Sequence, residues 1–499
     1  VRGPPSPIHL IIPSPPRPPH APARLVVPRE DWPAEVGSHQ PTEPMILEPV
    51  DRPAPSLPQL LAYTSFSLTA GLTFGSMGLI VLPAEVLRMW PETQAATLGV
   101  LLALTGISQL IAPAVGYLSD RCTHSLGRRR PYLLAGGAVA LLGLLGMRAA
   151  RDAALPKTYA ASLLVCMLGM NCSYAGFTGL LPDLVPECMM GKASGLMAVL
   201  NAVGAALSFY LLGFTGIDVR YSYSLYGAAV IATIGVTAVF ANEAPLLKAS
   251  PVVGSEILRS FYVSMATHGG FAIVFWIRCT YYMGISVLSF MILFLRDVIL
   301  PISGDDPIFG NGVEPSRWPT YYTSMIALIG QLGAVSIAVP IGRLSDRDGR
   351  KPYIYLACGM MVLVYLIFAF SPPLSVILAI AFMYGMGNGS FLTVDYALAV
   401  DTLPDKANAA QDLGLWGVAA FIGSSFGPLI LGPLLHVIGI LSLGGTLDDV
   451  FGKTIAAPNN GNSTDHELQY GPAGYRAILV MGIVFVSITA HMLKFVDKR

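Results

Sequence analysis

The stretch GYLSDRCTHSLGRRRPY, residues 116–132, separates two apolar segments and returns in shortened form as GRLSDRDGRKPY, residues 342–353. In both copies Ser-Asp-Arg follows the end of an apolar segment, and a basic cluster and Pro-Tyr come next. A motif that recurs in register, with apolar segments on each side, indicates an internal duplication. The chain should therefore contain two similar halves.

The composition places this chain in a membrane. Of its 499 residues 54% are hydrophobic and only 12% are charged, against roughly 25% charged residues in a typical soluble domain. The formal net charge is zero, so nothing points to nucleic acid as a partner. The six cysteines are scattered without the spacing of a disulfide or zinc framework. These features predict an integral membrane protein that contacts the lipid bilayer.

Twelve apolar segments of about 20 residues are each long enough to cross a bilayer as a helix. We predict an all-α membrane protein with 12 transmembrane helices in two pseudo-symmetric six-helix bundles. Duplicated six-helix halves with a substrate site between them are typical of secondary transporters. The predicted spans are 59–82, 95–115, 131–149, 158–181, 192–214, 222–241, 269–295, 319–341, 353–371, 375–399, 409–435 and 473–494.

Four regions follow from this pattern. Residues 1–56 are rich in proline and poor in groups that could form a core, so we expect a disordered cytosolic tail. Residues 57–241 and 269–499 are the two predicted six-helix bundles, and residues 242–268 form a central loop between them.

The placement of Lys and Arg predicts the orientation. The side that carries both basic clusters, the central loop and the C-terminal segment holds more Lys and Arg than the other side. The positive-inside rule therefore puts this side and both termini in the cytosol. Asn462, in the sequence Asn-Ser-Thr, then falls outside and is a glycosylation candidate. We expect a multi-pass protein of the plasma membrane or of an internal membrane such as the vacuole.

The duplication preserves acids as well as bases. Asp183 and Asp401 each precede a proline by three residues, near the ends of the fourth and tenth spans. We expect arginine–carboxylate pairs to hold the cytoplasmic helix ends together and to break when the protein opens inward. The alternative is that the arginines only fix the topology. The predicted gate residues are Gly116, Asp120, Arg121, Arg128, Arg129, Arg130, Asp183, Gly342, Asp346, Arg347, Arg350, Lys351 and Asp401.

Two charged residues lie inside predicted spans. Arg278 is in span seven and Asp395 is in span ten, and an arginine within a span costs roughly 2.5–3.5 kcal/mol on insertion scales. Both should lie in the cytoplasmic third of the bilayer, where they could pair. The pair is then either a charge pair that a proton or substrate disturbs, or a permanent ion pair.

Uncharged polar residues share helical faces in several spans. Such faces suit a neutral, hydroxyl-rich solute, although small polar residues also join helices in membranes. The candidates for the substrate cavity are Asn171, Tyr174, Thr178, Tyr281, Tyr282, Tyr384 and Asn388.

Several classes of protein are not indicated. The sequence has no GxxxxGK[ST] loop, which argues against an ATP-driven pump. It also shows no His-rich metal cluster and no Ser/His/Asp array at membrane depth. We therefore expect neither an enzyme nor a metal or cofactor site.

The loop GRLSDRDGRKP, residues 342–352, resembles the signature of the major facilitator superfamily. GYLSDRCTHSLGRRRPY is similar to the same loop of the sucrose/proton symporters and of the glycoside–pentoside–hexuronide cation symporters. The resemblance implies alternating access by a twelve-helix fold and cotransport of a sugar or glycoside with protons. It is carried by Gly116, Asp120, Arg121, Gly127 and Arg128–Arg130 in the first loop and by Gly342, Asp346, Arg347, Gly349, Arg350 and Lys351 in the second.

The fourth span departs from that branch. Plant sucrose symporters carry an acid there, whereas VCMLGMNCSYAG, residues 165–176, has none, so Asp395 with Arg278 is the remaining coupling site. The sequence thus predicts a monomeric transporter that moves a sugar or glycoside such as sucrose with protons. The alternatives are a uniporter or exporter of another small metabolite, and a sensor or scaffold that no longer transports.

Overall fold

Twelve helices in the described part of the chain are long and apolar enough to cross a membrane. The computed structural model describes residues 54–243, 269–303, 313–402, 409–446, 450 and 469–496. The helices are α1 (Leu57–Met89), α2 (Gln94–Asp120), α3 (Arg130–Asp152), α4 (Pro156–Leu184), α5 (Met190–Phe214), α6 (Val219–Phe240), α7 (Gly269–Ile302), α8 (Pro315–Asp348), α9 (Lys351–Ala369), α10 (Leu374–Asp401), α11 (Trp416–Leu441) and α12 (Pro472–Phe495).

Each predicted span corresponds to one of these helices, and the predicted all-α fold is confirmed. Several predicted ends came too early. The helices α1, α2, α7, α8 and α11 continue five to seven residues beyond residues 82, 115, 295, 341 and 435, and α3 continues three residues beyond 149. The extra turns of α1, α3 and α7 contain Glu85, Arg151 and Arg296, whose charges are paired inside the protein. A helix can continue through a charged residue that has a buried partner. A prediction based on apolar residues instead ends the span before that residue.

The helices of the two halves pack in the same order. In the first half α3 contacts α4 and α6, and α1 contacts α5 and α6. In the second half α9 contacts α10 and α12, and α7 contacts α11 and α12. Each pair in one half thus has a counterpart six helices later, as the duplicated sequence motif indicates.

The most extensive contacts between the halves are those of α2 with α11 and of α5 with α8. A Cβ added at Gly99 in α2 would lie 2.4 Å from the carbonyl oxygen of Pro428 in α11. One added at Gly432 in α11 would lie 2.5 Å from the carbonyl oxygen of Ala95 in α2. Glycine therefore allows the two backbones to approach closely, as small residues do in membrane helices generally.

A wide π-helical turn interrupts the first helix of each half, at Met77–Val81 in α1 and at Leu295–Ile299 in α7. Leu-Pro follows each turn, with the prolines at positions 83 and 301. Proline has no N–H and its ring clashes with the carbonyl four residues earlier, and a π turn accommodates both effects. In α7 this turn carries Arg296 and Asp297.

Some predictions lie outside the described residues. These are the structure of residues 1–53, most of the central loop (244–268) and the glycosylation candidate Asn462.

Candidate functional site

Arg129 connects three helix ends of the first half. Its guanidinium forms an ion pair with Asp120 at the end of α2, and its Nε lies 3.4 Å from Asp183 Oδ2 near the end of α4. Its Nη1 also donates to Ser119 Oγ at 2.5 Å. Arg129 itself immediately precedes α3, so one side chain joins α2, α3 and α4.

Arg128 adds a second connection. Its Nη2 lies 2.6 Å from Asp183 Oδ1, and its Nε lies 3.3 Å from Glu243 Oε1, just beyond α6. Burial lowers the pKa of the Arg128 guanidinium, but the Asp183 and Glu243 carboxylates outweigh this effect and raise it. Sequence reasoning missed Glu243, because it was assigned to the central loop.

The second half repeats this arrangement around Arg350. Its guanidinium pairs with Asp346 in α8, and its Nε lies 3.2 Å from Asp401 Oδ2 at the end of α10. Its Nη1 donates to Ser345 Oγ at 3.0 Å. Arg350 thus joins α8, α9 and α10 as Arg129 joins α2, α3 and α4. The cluster around Arg350 is the more exposed of the two.

The remaining gate candidates lie outside these two clusters of ion pairs. Arg121 lies over the ring of Tyr117, 3.7 Å from its centroid, and Arg130 donates to the carbonyl of Ala238 in α6. Lys351 donates to the carbonyl of Val496 after α12. Arg347 is exposed. The carbonyl of Gly116 accepts from Arg129 Nη1 at 3.5 Å. A Cβ at Gly342 would be in ordinary contact with Thr393, 3.6 Å away.

These two clusters define the basic face of the molecule, where α2, α4, α8 and α10 end. Asp120, Asp183 and Arg129 all belong to the first half, and Asp346, Asp401 and Arg350 all belong to the second. The pairs therefore fasten helix ends within each half.

Contacts between the halves concentrate at the other end, which we call the opposite face. Arg296 in α7 donates to Gln94 Oε1 at the start of α2 over 2.9 Å. Its Nε donates to Asp297 Oδ1 at 2.5 Å. Asp297 Oδ2 accepts from the Tyr475 hydroxyl at 2.6 Å and from the backbone N–H of Tyr470 at 3.1 Å.

Tyr470 makes a second contact between the halves. Its hydroxyl accepts from the backbone N–H of Ala95 in α2 at 3.0 Å and lies 3.0 Å from His436 Nδ1 in α11. Burial raises the pKa of the Tyr470 hydroxyl, which keeps it protonated. Arg296, Asp297 and Tyr470 together hold the two halves against each other at this face.

A further ion pair lies at the opposite face in the first half. Glu85 in α1 is 1% exposed, and its Oε1 accepts from Arg151 Nε in α3 at 2.5 Å. Arg151 Nη2 continues to Asp218 Oδ1 at 3.0 Å. A cavity of about 460 Å³ adjoins these residues and reaches Arg317 of the second half.

A cavity of about 250 Å³ lies between the two halves. Its lining comes from α1, α5, α7, α8 and α10, and every lining residue is uncharged. Two sequence candidates, Tyr384 and Asn388, belong to it. Its other side chains with hydrogen-bonding groups are Ser289, Thr323 and Gln331.

The other cavity candidates lie elsewhere. Asn171 donates to Ser108 Oγ and to the carbonyl of Met167, both at 2.9 Å, so it joins α4 to α2. Thr178 donates to the carbonyl of Tyr174, whose ring packs edge-on against Phe74. None of these three residues belongs to the lining described for the 250 Å³ cavity.

Tyr281 and Tyr282 occupy the space between this cavity and a buried charge pair. The Tyr281 hydroxyl donates to Asn388 Oδ1 at 3.3 Å, and its ring stacks on Phe391 with centroids 3.4 Å apart. Tyr282 lies one turn from Arg278, whose Nη2 is 3.5 Å from the Tyr282 hydroxyl.

Arg278 and Asp395 form an ion pair inside the second half, between α7 and α10. Asp395 is fully buried, and the Arg278 side chain is 11% exposed. The Arg278 guanidinium carbon lies 3.5 Å from the ring centroid of Trp416 in α11. Asp395 Oδ1 has no hydrogen-bond partner among the described residues.

Residues 55–428 match the family model of the Major Facilitator Superfamily. Curated relatives match over shorter stretches. A major facilitator-type transporter, psiT2 of Psilocybe cyanescens, is 30% identical over 120 residues, which cover 24% of this chain and 22% of that protein. The gentisate transporter of Corynebacterium glutamicum is 27% identical over 192 residues, covering 34% of this chain and 42% of that protein. The match thus spans less than half the length of either relative.

Solved structures match over a greater length. The nucleoside transporter NupG has a TM-score of 0.60 at 11% identity and covers 88% of this chain and 99% of its own. A D-xylose-proton symporter has a TM-score of 0.60 at 15% identity and covers 88% of this chain and 98% of its own. At such identities the likeness shows the fold alone.

Proposed function

Because this chain belongs to the Major Facilitator Superfamily, we propose that it is a secondary transporter that moves a small neutral solute by alternating access. Its family and its twelve apolar helices make it a multi-pass integral membrane protein. The observation that carries the proposal is the uncharged cavity of about 250 Å³ between the two halves. Uncharged hydroxyl and amide groups suit a sugar or glycoside, and the loop at residues 116–132 supports the sucrose/proton symporter branch.

The contacts between the halves support a mechanism of access. At the opposite face, Arg296 and Tyr470 bond across the halves and the Gly99–Pro428 approach closes the backbone gap. At the basic face, the ion pairs of Arg129 and Arg350 stay within their own halves. We assign the basic face to the cytosol, so that this conformation is closed outward. Arg129 and Arg350 then keep each half rigid while the halves rock.

Proton coupling through Asp395 is the second part of the proposal. Protonation of Asp395 would leave the Arg278 charge without its partner, and an uncompensated buried charge is costly. Arg278 would then rely more on the Trp416 ring, a favourable site for a guanidinium. A shift of Arg278 would reach Tyr282, whose hydroxyl lies 3.5 Å from Arg278 Nη2, and the adjacent Tyr281 bonds Asn388 at the cavity. A permanent ion pair would instead make the protein a uniporter or exporter.

Uptake into proteoliposomes with and without an imposed pH gradient tests the proposal. Radiolabelled sucrose and methyl glucoside would serve as solutes, and the protein should work as a monomer in bilayers that hold one copy per vesicle. We expect accumulation to follow the pH gradient. Asp395→Asn should abolish gradient-driven accumulation but retain exchange of solute across the membrane.

Glu92→Gln is the matched control, because Glu92 is exposed at the opposite face. It should behave like the unaltered protein. Uptake that ignores the gradient would contradict symport and favour the uniporter. Gradient-driven accumulation by Asp395→Asn would remove Asp395 from the coupling mechanism.

A further inference from the structure

The hydrogen-bonding groups of the 250 Å³ cavity come from one half of the protein. Ser289 lies in α7, Gln331 in α8, and Tyr384 and Asn388 lie in α10, all in the second half. The first half contributes Gly75 and Leu79 from α1 and Phe209 from α5. We call the second-half side, where these groups lie among apolar residues such as Leu288, Met291 and Ile326, the polar wall, and the first-half side the apolar wall.

The polar wall has groups available for a solute. Within the described residues, the side chains of Ser289, Gln331 and Tyr384 form no hydrogen bonds to protein. Asn388 accepts from Tyr281 through Oδ1, and its Nδ2 has no described partner. Amide and hydroxyl groups can both donate and accept, so this wall matches a ring that carries several hydroxyls.

Several interior polar side chains of the first half bond to one another within that half. Asn171 bonds Ser108, and Ser76 Oγ lies 2.5 Å from the Tyr226 hydroxyl in α6. Thr69 Oγ1 lies 2.8 Å from Thr233 Oγ1, also in α6. These side chains connect α1, α2, α4 and α6, which leaves Leu79 and Phe209 facing the cavity.

We propose that the solute is a neutral amphipathic molecule, a single hydroxyl-bearing ring with an apolar substituent, of which an aryl glycoside is the simplest example. The ring hydroxyls bond Gln331, Tyr384 and Asn388, and the substituent packs on Leu79 and Phe209. This inference rests on the proposed transport of a neutral solute, and it narrows the solute's chemistry.

Desolvation decides against a molecule that carries hydroxyls on every side. A hydroxyl pressed against Leu79 or Phe209 loses its hydrogen bonds to water without replacement, at a cost of about 1–3 kcal/mol by mutational data. Sucrose would bury several such groups. The cavity is also smaller than the about 300–1,000 Å³ of most ligand pockets, which favours a monosaccharide glycoside over an oligosaccharide.

Equilibrium binding to the purified protein in lipid nanodiscs, free of glycoside detergent, tests this proposal. The probes are phenyl β-glucopyranoside, methyl β-glucopyranoside and sucrose. Phenyl glucoside should bind about tenfold or more tightly than methyl glucoside, since added apolar contact in a pocket yields 10–200-fold discrimination. Sucrose should bind more weakly than either.

Two variants separate the walls. Leu79→Asn should weaken phenyl glucoside and leave methyl glucoside unchanged, which removes the preference. Gln331→Leu should weaken both glucosides by a similar factor and keep the preference. Thermal unfolding of each variant shows that it is folded. If Leu79→Asn kept the full preference, the apolar wall would not contact the substituent and the proposal would fail.

The results also separate this inference from the proposed function. Binding is measured without a gradient, so a failure of proton coupling leaves the order of affinities intact. Sucrose binding as tight as phenyl glucoside, together with gradient-driven uptake of sucrose, would overturn the inference alone. No binding of any of the three probes would overturn both the inference and the assignment to sugars and glycosides.

Discussion

Arg296 in α7 donates a 2.9 Å hydrogen bond to the side-chain oxygen of Gln94 in α2, and this bond joins the two halves at the opposite face. Arg296 is held for this contact by Asp297, whose second oxygen is bound by Tyr475 and Tyr470. The Arg296 guanidinium, held in place by Asp297, thus forms a hydrogen bond between the halves.

Removing the acceptor should favour opening at this face. Gln94→Ala eliminates a hydrogen bond to a charged group, which contributes about 1.5–3 kcal/mol, so the open population should rise roughly tenfold or more. A cysteine placed at Ser289 in the cavity reports this change through its labelling by an impermeant maleimide added from the opposite face. Thr93→Ala is the control, because the Thr93 hydroxyl bonds Thr97 within α2. Equal labelling in both variants would show that Gln94 does not hold this face closed.

Glu85 should be important for stability. Glu85→Ala leaves Arg151 buried with only the more exposed Asp218 and Asp152 nearby, and loss of one partner from a buried pair costs about 3–5 kcal/mol. The measurement is the free energy of unfolding in a denaturant titration. Glu314→Ala, at an exposed acid of the same face, should change it by no more than about 0.5 kcal/mol. A similar small loss for Glu85→Ala would mean that Arg151 finds another partner.

The two basic clusters should differ in strength despite their matched geometry. The Arg129 side chain is 13% exposed, and its partners Asp120 and Asp183 are 49% and 17% exposed. The Arg350 side chain is 21% exposed, and its partners Asp346 and Asp401 are 69% and 48% exposed. Arg129→Ala should therefore cost about 2–3 kcal/mol, and Arg350→Ala about 1 kcal/mol or less, because water screens exposed pairs. Thermal unfolding of the two variants side by side tests this order, and a larger loss at Arg350 would reverse the argument.

Trp416 should stabilise the charge of Arg278. Trp416→Leu removes an aromatic face 3.5 Å from the guanidinium carbon and should lower the free energy of unfolding by about 0.5–2 kcal/mol beyond the lost apolar packing. Trp416→Phe keeps a ring and should recover part of this loss. If Trp416→Leu and Trp416→Phe had the same free energy of unfolding, Trp416 would stabilise the protein through apolar packing alone.

Apolar periodicity and length were sufficient to predict the twelve helices, and the repeated loop predicted the two halves. They were not sufficient for the opposite face, because Glu85, Arg151 and Arg296 lie just beyond the predicted span ends at 82, 149 and 295. Glu85 pairs with Arg151 from another helix, and Arg296 pairs with the adjacent Asp297 and donates to Gln94 in α2. A pairing between residues so far apart in sequence leaves no local pattern.

The candidate site could be predicted only in part. The pairing of Arg278 with Asp395 followed from the cost of a lone charge in a membrane, and it is present. Asn171 and Asn388 occupy similar places in their spans, yet only Asn388 lines the cavity, whereas Asn171 joins α4 to α2 through Ser108. Which of two equivalent amides lines a cavity depends on the neighbouring helices, and the spacing of residues along one helix does not determine it.

The π-helical turns in α1 and α7 bear on the evolution of the two halves. Each is followed by Leu-Pro, and the two prolines have the same separation in sequence as Asp183 and Asp401. An irregularity copied together with its landmarks predates the duplication. The duplicated unit therefore already had this turn in its first helix. The charges of Arg296 and Asp297, which α1 lacks, mark where the fused copies later became different.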